Sequence, residues 1–185
     1  MADGTVAVVL LAAGHSRRFG DRKLFADLRG APLWRWAAKA CEDADFGARY
    51  LVIGEDWPKS QASDGWTAVE NRQSASGIAS SIRKGVEAAG GCDRIVIALA
   101  DMPRLDSLHL DRLAQGEGLQ FTRQADGKPG VPAAFPSSEF DRLLALEGDR
   151  GAASLAIPGA QVLDPPDPGM LADVDTPDDL RWLER

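Results

Sequence analysis

The chain predicts a single α/β domain, residues 1–185, built on a mostly parallel open sheet with helices on both faces. Three observations carry that expectation. Val6 to Ala13 is an unbroken run of eight apolar residues, with the length and β-branched content of a strand buried on both faces of a parallel sheet. Arg94-Ile-Val-Ile-Ala-Leu-Ala100 is a second such run. Strand-like runs then alternate with helical patterns along the whole sequence, without a repeat, a low-complexity tract or a linker long enough to divide it. The length of 185 residues suits one domain with a sizeable core.

The elements follow in order. The first strand opens into Gly14, Ser16 and Gly20 with Arg17, Arg18, Arg22 and Lys23 around them. Lys23 to Gly30 is a short crossing segment that ends at a turn, and Pro32 suits the first turn of a helix running to about Asp43. Arg49 to Gly54 reads as a second buried strand, Glu55 to Gly65 as a polar loop or short irregular helix, and Trp66 to Glu70 as a third strand. Ser76 is expected to cap a helix whose apolar face is Ile78, Ile82 and Val86 and which Gly90-Gly91 stops. The Arg94–Ala100 strand leads at once into Asp101-Met102-Pro103, and Asp106 caps a helix through Leu113. Leu119 to Arg123 is a strand, Asp126 to Pro132 a turn, and Ala133 to Phe135 a further strand. Ser137 or Ser138 opens a helix to Leu146, a short helix spans Ala152 to Ile157, and Gln161 to Leu163 is the last strand. After the proline-rich loop Asp164 to Gly169, Thr176 or Asp175 caps the final helix, with Pro177 at its start. In an open sheet the ligand lies at the carboxyl ends of the strands. The loops after Leu11, Val69 and Leu99 are therefore expected to share one cleft.

Charge narrows the partners. The net charge of −7 argues against nucleic acid and against a membrane surface. Its distribution is uneven: His15 to Arg29 carries five basic and two acidic residues, whereas Asp164 to Asp179 carries six acidic and none basic. A basic loop on an acidic protein suits a small anionic ligand, and an acidic cluster suits a divalent cation or a solvated face. The two cysteines, Cys41 and Cys92, have no metal-ligand spacing and read as reduced, buried thiols. The N-terminus lacks a basic region before its apolar run, which points to a cytoplasmic protein. His15 and His109 are too few to suggest a proton relay. Of the five tryptophans, Trp57 in its polar loop is the candidate for ligand contact.

Small residues let backbone N–H groups approach an anion, and Arg and Lys add charge, so the turn after the first strand is a phosphate-binding candidate. It is neither common phosphate loop. Gly14 and Gly20 have five residues between them and the lysine comes three later, which breaks the Walker spacing. No Gly-x-Gly-x-x-Gly occurs in this turn, which argues against a dinucleotide-binding oxidoreductase. Asp101 stands at the end of the strongest internal strand. With Asp106 already serving as the next cap, it is free for another role. A carboxylate beside a triphosphate is repulsive unless Mg²⁺ lies between them, and Mg²⁺ prefers one or two carboxylates plus phosphate oxygens and water.

The pattern Leu11-Ala12-Ala13-Gly14-x-Ser16-x-Arg18-Phe19-Gly20-x-x-Lys23 resembles the signature loop of the MobA-like nucleotidyltransferases, the family that includes the molybdenum cofactor cytidylyltransferases. Leu99-Ala-Asp-Met-Pro103 is similar to the family's metal-binding motif, and Asp173-Val-Asp-Thr-Pro-Asp-Asp-Leu180 to its closing motif. Asn71, Gly77 and Ser81, with Gly85 further along the helix, match its base-and-ribose segment. Gly127 to Pro132 and Gly148 to Ala152 match the half that holds the second substrate.

The resemblance implies a Rossmann-like, GT-A-like nucleotidyltransferase whose N-terminal part binds an NTP and whose C-terminal part binds the acceptor. It implies that Leu11, Ala12, Ala13, Gly14, Ser16, Arg18, Lys23, Asn71, Gly77 and Ser81 bind the nucleotide. It further implies that Arg18, Lys23 and Asp101 carry catalysis with Mg²⁺. Asp101 would hold the metal with Asp175, favoured over Asp173, and without metal the two carboxylates are expected to repel and displace one loop. Gly130, Pro132 and Asp149 would face the acceptor. Ala13, where guanylyl-transferring relatives carry glycine, points to CTP and to molybdopterin as the acceptor, with a molybdoenzyme or its chaperone as protein partner. Gly130-Val131-Pro132 stands where many cytidylyl members have Gly-His-Pro. A sugar or polyol phosphate is therefore the alternative acceptor, and a non-catalytic nucleotide-binding accessory protein is the rival from another class.

Overall fold

The computed structural model describes residues 5–14, 19, 22–58, 61 and 64–184. Strand β1 (Val6–Ala12) is followed by a 3₁₀ turn at Lys23–Phe25 and a small hairpin of β2 (Asp27–Leu28) and β3 (Ala31–Pro32). Arg29 and Gly30 at its tip have φ of 53° and 87°, the left-handed conformations that a two-residue hairpin loop requires. Pro32 ends β3 and stands just before α1 (Leu33–Asp43), whose first residue is Leu33. Then come β4 (Ala48–Gly54), β5 (Thr67–Asn71), α2 (Ile78–Ala88), β6 (Arg94–Leu99), α3 (Ser107–Gln115), β7 (Gln120–Arg123), β8 (Pro129–Pro136), α4 (Phe140–Leu144), β9 (Gln161–Leu163) and α5 (Pro177–Leu183).

The described residues form a seven-stranded sheet in the order β5-β4-β1-β6-β8-β7-β9. Pairs β5/β4, β4/β1, β1/β6 and β7/β9 are parallel, while β8 runs antiparallel to both β6 and β7. The sheet is thus mixed: four parallel strands form one side and β8 turns the chain back on the other. The segment expected as a turn up to Pro132 is already strand from Pro129, because Thr122 pairs with Gly130 and Arg123 with Pro129 beyond a register shift.

Each central strand divides its side chains between two cores. Val8, Leu10 and Ala12 join Val96 and Ala98 under α1 and α3, while Ala7, Val9 and Leu11 join Ile95 and Ile97 under α2 and α4. This two-residue alternation explains why the runs read as continuously apolar. Gly85 of α2 is a packing residue: a Cβ there would come within 2.3 Å of Val9 Cγ1. Trp57 also packs, edge-on to Phe25 and Trp34 at centroid distances of 4.8 and 5.2 Å, with its indole N–H donated to the Gln61 carbonyl. These contacts give it a packing role. Cys41 and Cys92 are buried and free, and burial pushes the Cys41 thiol up to about 12. Among the described residues no helix is long and apolar enough to cross a membrane.

The helix caps follow local chemistry. Asp106 accepts the His109 N–H at 2.7 Å. Thr176 and Asp179 form a reciprocal capping box on α5, with Pro177 at the start. Helix α2 departs from expectation. Its N-cap is Gly77, Ser74–Ser76 being a 3₁₀ turn. One early N–H of α2, that of Ala79, finds the carbonyl of Gly148 at 3.1 Å instead of a local side chain. A distant turn does the work of a cap.

Candidate active site

The loops after β1, β5 and β6 meet at the carboxyl edge of the sheet. They enclose a cavity of 380 Å³ whose lining includes Leu11, Ala13, Gly14, Gly77, Ser81 and Asp101. Parallel pairing of β1 with β6 sets this edge: Leu11 lies opposite Leu99, and the Ala100 N–H bonds the Leu11 carbonyl at 3.0 Å. Asp101 is therefore on the same edge as Gly14. Ser74, Ala75, Ile78, Leu99 and Asp149 complete the lining. Ser74 and Ala75 are additions to the expected set; their sequence signal is the small-residue stretch Ser74-Ala75-Ser76-Gly77.

The charged centre lies beside this cavity. Lys23, with only 8% of its side chain exposed, places its Nζ 2.8 Å from Asp101 Oδ2 and 3.4 Å from Asp175 Oδ1. The closing motif reaches Asp101 through the backbone, the Val174 N–H donating to the Asp101 carbonyl at 3.0 Å. Val174 itself is fully buried, so the aspartates on either side of it are anchored by an apolar plug. Asp179 accepts from Asp175 N, Thr176 N and Thr176 Oγ1. It serves the cap and leaves Asp175 to face Lys23. Burial, then the charges of Asp101 and Asp175, raise the Asp173 carboxyl above its ordinary value, with Lys23 pulling it down. All three aspartates thus share one electrostatic neighbourhood. The Lys23 ammonium stands between Asp101 and Asp175 and offsets the repulsion expected of the two carboxylates.

Asp101 Oδ1 is buried and has no hydrogen-bond partner. A buried carboxylate oxygen in that state is costly, and a cation is what its chemistry suits. Among the described residues no group of three or more His, Cys, Asp or Glu could enclose a metal ion alone. Two carboxylates completed by ligand oxygens and water is the set that Mg²⁺ prefers, so the residues fit a hard divalent cation that arrives with a phosphate ester.

Other expected site residues sit differently. Ala12 faces away, in the core under α1. Asn71 is fully buried, and its amide donates to Ser80 Oγ and Ser81 Oγ, both at 2.9 Å, while Oδ1 accepts the Gln73 N–H. It shapes the loop, where a direct contact with a base was expected. Gly77 has a φ of 107°, and a Cβ would lie 2.2 Å from the Gly148 carbonyl oxygen. This close approach brings Asp149 into the same cavity as Gly14. Gly130 and Pro132 are buried inside β8, where the Pro132 carbonyl accepts from Thr122 Oγ1 at 2.7 Å; the expectation is a turn that faces the acceptor. Ser16, Arg18 and His15 lie outside the described residues. His109 is buried, with Nε2 2.8 Å from Thr122 Oγ1. Since that hydroxyl donates to Pro132, the ring nitrogen must carry the proton toward it, and among the described residues no relay leads from it to the cavity.

Gly14 and Asp101 share one cavity, and beside it a buried lysine bridges Asp101 and Asp175, an arrangement whose chemistry suits a phosphate ester. The MobA-like NTP transferase domain matches residues 8–162. The chain is 30% identical over 194 residues to the purine catabolism protein PucB of Bacillus subtilis (strain 168), covering 96% of this chain and 95% of PucB. The crystal structure of Rv0371c from Mycobacterium tuberculosis H37Rv is similar with a TM-score of 0.79 and 28% identity, over 97% of this chain and 98% of that one. A complex of Rv0371c with manganese matches with a TM-score of 0.73 and 27% identity, over 97% of each chain. A nucleotidyl transferase from Methanothermobacter thermautotroptrophicus shares the fold, with a TM-score of 0.82 at 21% identity over 97% of this chain and 96% of that one. The chain belongs to the MobA-like NTP transferase domain family and is a nucleotidyltransferase.

Proposed function

We propose that the protein transfers CMP from CTP to a phosphorylated acceptor, with molybdopterin the favoured one, and that it uses Mg²⁺ held by Asp101 and Asp175. The observation that carries the reading is the unpartnered, buried Asp101 Oδ1 beside the Lys23–Asp175 contact, at the mouth of the Gly14 cleft. The manganese complex of the relative Rv0371c supports a divalent cation. An acceptor phosphate oxygen attacks the α-phosphorus of the NTP, and pyrophosphate leaves with the electron pair of the broken P–O bond. A phosphomonoester has its second pKa near about 6 and is already ionised at neutrality, so no protein base is needed. Lys23 supplies charge to the phosphates, and Gly14 lets them approach the backbone. The metal, when bound, neutralises charge on the phosphate oxygens. Gly77 and Asp149 place the acceptor side against the nucleotide side. Arg18 is carried over from the loop pattern alone.

Ala13 lines the cavity and supports CTP, since its methyl replaces the glycine of guanylyl-transferring relatives. PucB is named for purine catabolism, which directs the search for the partner, a molybdoenzyme or its chaperone, to enzymes of purine breakdown. The test is competition among equimolar CTP, GTP, ATP and UTP with Mg²⁺ and molybdopterin, the product identified by mass. The CMP adduct is expected. A GMP adduct overturns the base assignment; transfer only to sugar or polyol phosphates overturns the acceptor; nucleotide binding without pyrophosphate release would make the protein an accessory binder.

A further inference from the structure

Lys23 is a buried ammonium set against three carboxylates. It has three N–H donors, and the contacts to Asp101 Oδ2 and Asp175 Oδ1 take two of them. Among the described residues the Lys23 ammonium is shared between these acidic groups, and Asp101 Oδ1 has no hydrogen-bond partner. The ammonium therefore stabilises the cluster only in part. Without it, carboxylates on two loops distant in sequence would repel. With it, the Asp101 turn and the Asp173–Asp175 segment stay seated against each other.

The carboxylates that Lys23 contacts are the ones that the reading above gives to a divalent cation. A lysine is a point charge on a flexible four-carbon stem, so it can leave them without unfolding its surroundings. A divalent cation brings twice the charge and accepts several oxygens at once, and it also serves the orphan Oδ1. The two cations compete for the same carboxylates. We infer that Lys23 is an exchangeable counter-ion: it holds Asp101 and Asp175 in place without metal, and entry of the divalent cation releases its ammonium for the phosphates of the nucleotide. The inference rests on the reading of Asp101 and Asp175 as metal ligands. It adds an order of events, in which the charge that binds phosphate becomes available only once the metal is in place.

The test uses the full chain and Mn²⁺ alone, with free Mn²⁺ read by electron paramagnetic resonance. Lys23→Met is expected to bind Mn²⁺ roughly 5–150-fold more tightly than the wild type, the usual range of a coupling between two ligands. A lysine with a merely structural role would change affinity in the opposite direction. Asp101→Asn is expected to lose Mn²⁺ binding. Equal or weaker binding by Lys23→Met, with binding still lost in Asp101→Asn, overturns the exchange and leaves the metal site standing. Wild-type affinity in Asp101→Asn overturns both. A second measurement needs no variant. Acylation of Lys23 in the wild type, followed by mass spectrometry, should speed up on adding Mg²⁺ alone and slow again with Mg²⁺ and CTP. A rate that Mg²⁺ leaves unchanged overturns the exchange.

Discussion

Strand β6 starts at Arg94 and runs into Asp101, and a buried cation stands near each of its ends. At the start, Arg94 donates to the carbonyls of Leu113 and Gly118 and to Gln120 Oε1, at 3.0, 2.8 and 2.9 Å. Gln120 continues the chain to Gln161 at 2.8 Å. All these acceptors are neutral, and burial pulls the Arg94 guanidinium below its ordinary value. Among the described residues no buried side-chain atom of that network is left unpaired. At the far end, Lys23 meets carboxylates, and one buried oxygen has no partner. The Arg94 centre is closed and ties α3, β7 and β9 to β6. The Lys23 centre has unused bonding capacity that faces a cavity. Buried charge alone marks neither structure nor chemistry; what distinguishes the two ends is whether every polar atom is already satisfied.

The largest effect that would test this contrast is Asp101→Asn. Turnover should fall to background while the melting temperature stays close to wild type, because the amide keeps the shape and loses the charge. Full activity at limiting Mg²⁺ would break the comparison. Next comes Lys23→Ala, expected to lower turnover roughly 10²–10³-fold, the common cost of one preorganised charge-stabilising group; steady-state kinetics on folded protein decide it. Arg94→Met should do the reverse. Each buried acceptor left unpaired costs about 1–3 kcal/mol, read by urea denaturation, with turnover per folded molecule unchanged. A catalytic loss as large as that of Lys23→Ala would show that the two ends are not separable.

The smallest effect is a pH dependence. Burial and the charge of Arg112 hold His109 below its ordinary value of 6.5, against the pull of Asp106. Between the folded and unfolded values the unfolded chain binds more protons, so stability rises with pH there and is lost as pH falls below the unfolded value. Melting temperatures measured from about pH 7.5 down to about pH 5.5 should fall more steeply in the wild type than in His109→Asn. Equal slopes would mean that the Thr122 contact does not keep the ring neutral.

Much of the architecture was legible because its causes are local. The apolar runs of β1 and β6, the Asp106 and Thr176 caps and the breaks at Gly14 and Gly90-Gly91 each depend on neighbours a few residues away. The position of Asp101 just past a buried strand was legible for the same reason, and so was its place on the Gly14 edge, since parallel strands put their carboxyl ends together. The cap of α2 was not legible: its partner is Gly148, on another element. Nor was the mixed character of the sheet, since the direction of β8 depends on what it pairs with.

By itself the sequence determined the α/β class, the order of the elements, the small-residue loop and the aspartates available to it. Only the tertiary structure decided what each of those residues faces. Ala12 and Ala13 are chemically identical neighbours, yet strand alternation sends one into the core under α1 and the other into the cavity wall. Asn71 spends its amide on Ser80 and Ser81, and Gly130 and Pro132 disappear into β8. Lys23, whose loop position suggested only phosphate, sits on Asp101 and Asp175. A sequence pattern records which groups are present, whereas a hydrogen bond or an ion pair depends on distance, and distances between remote residues are set by strand order and register.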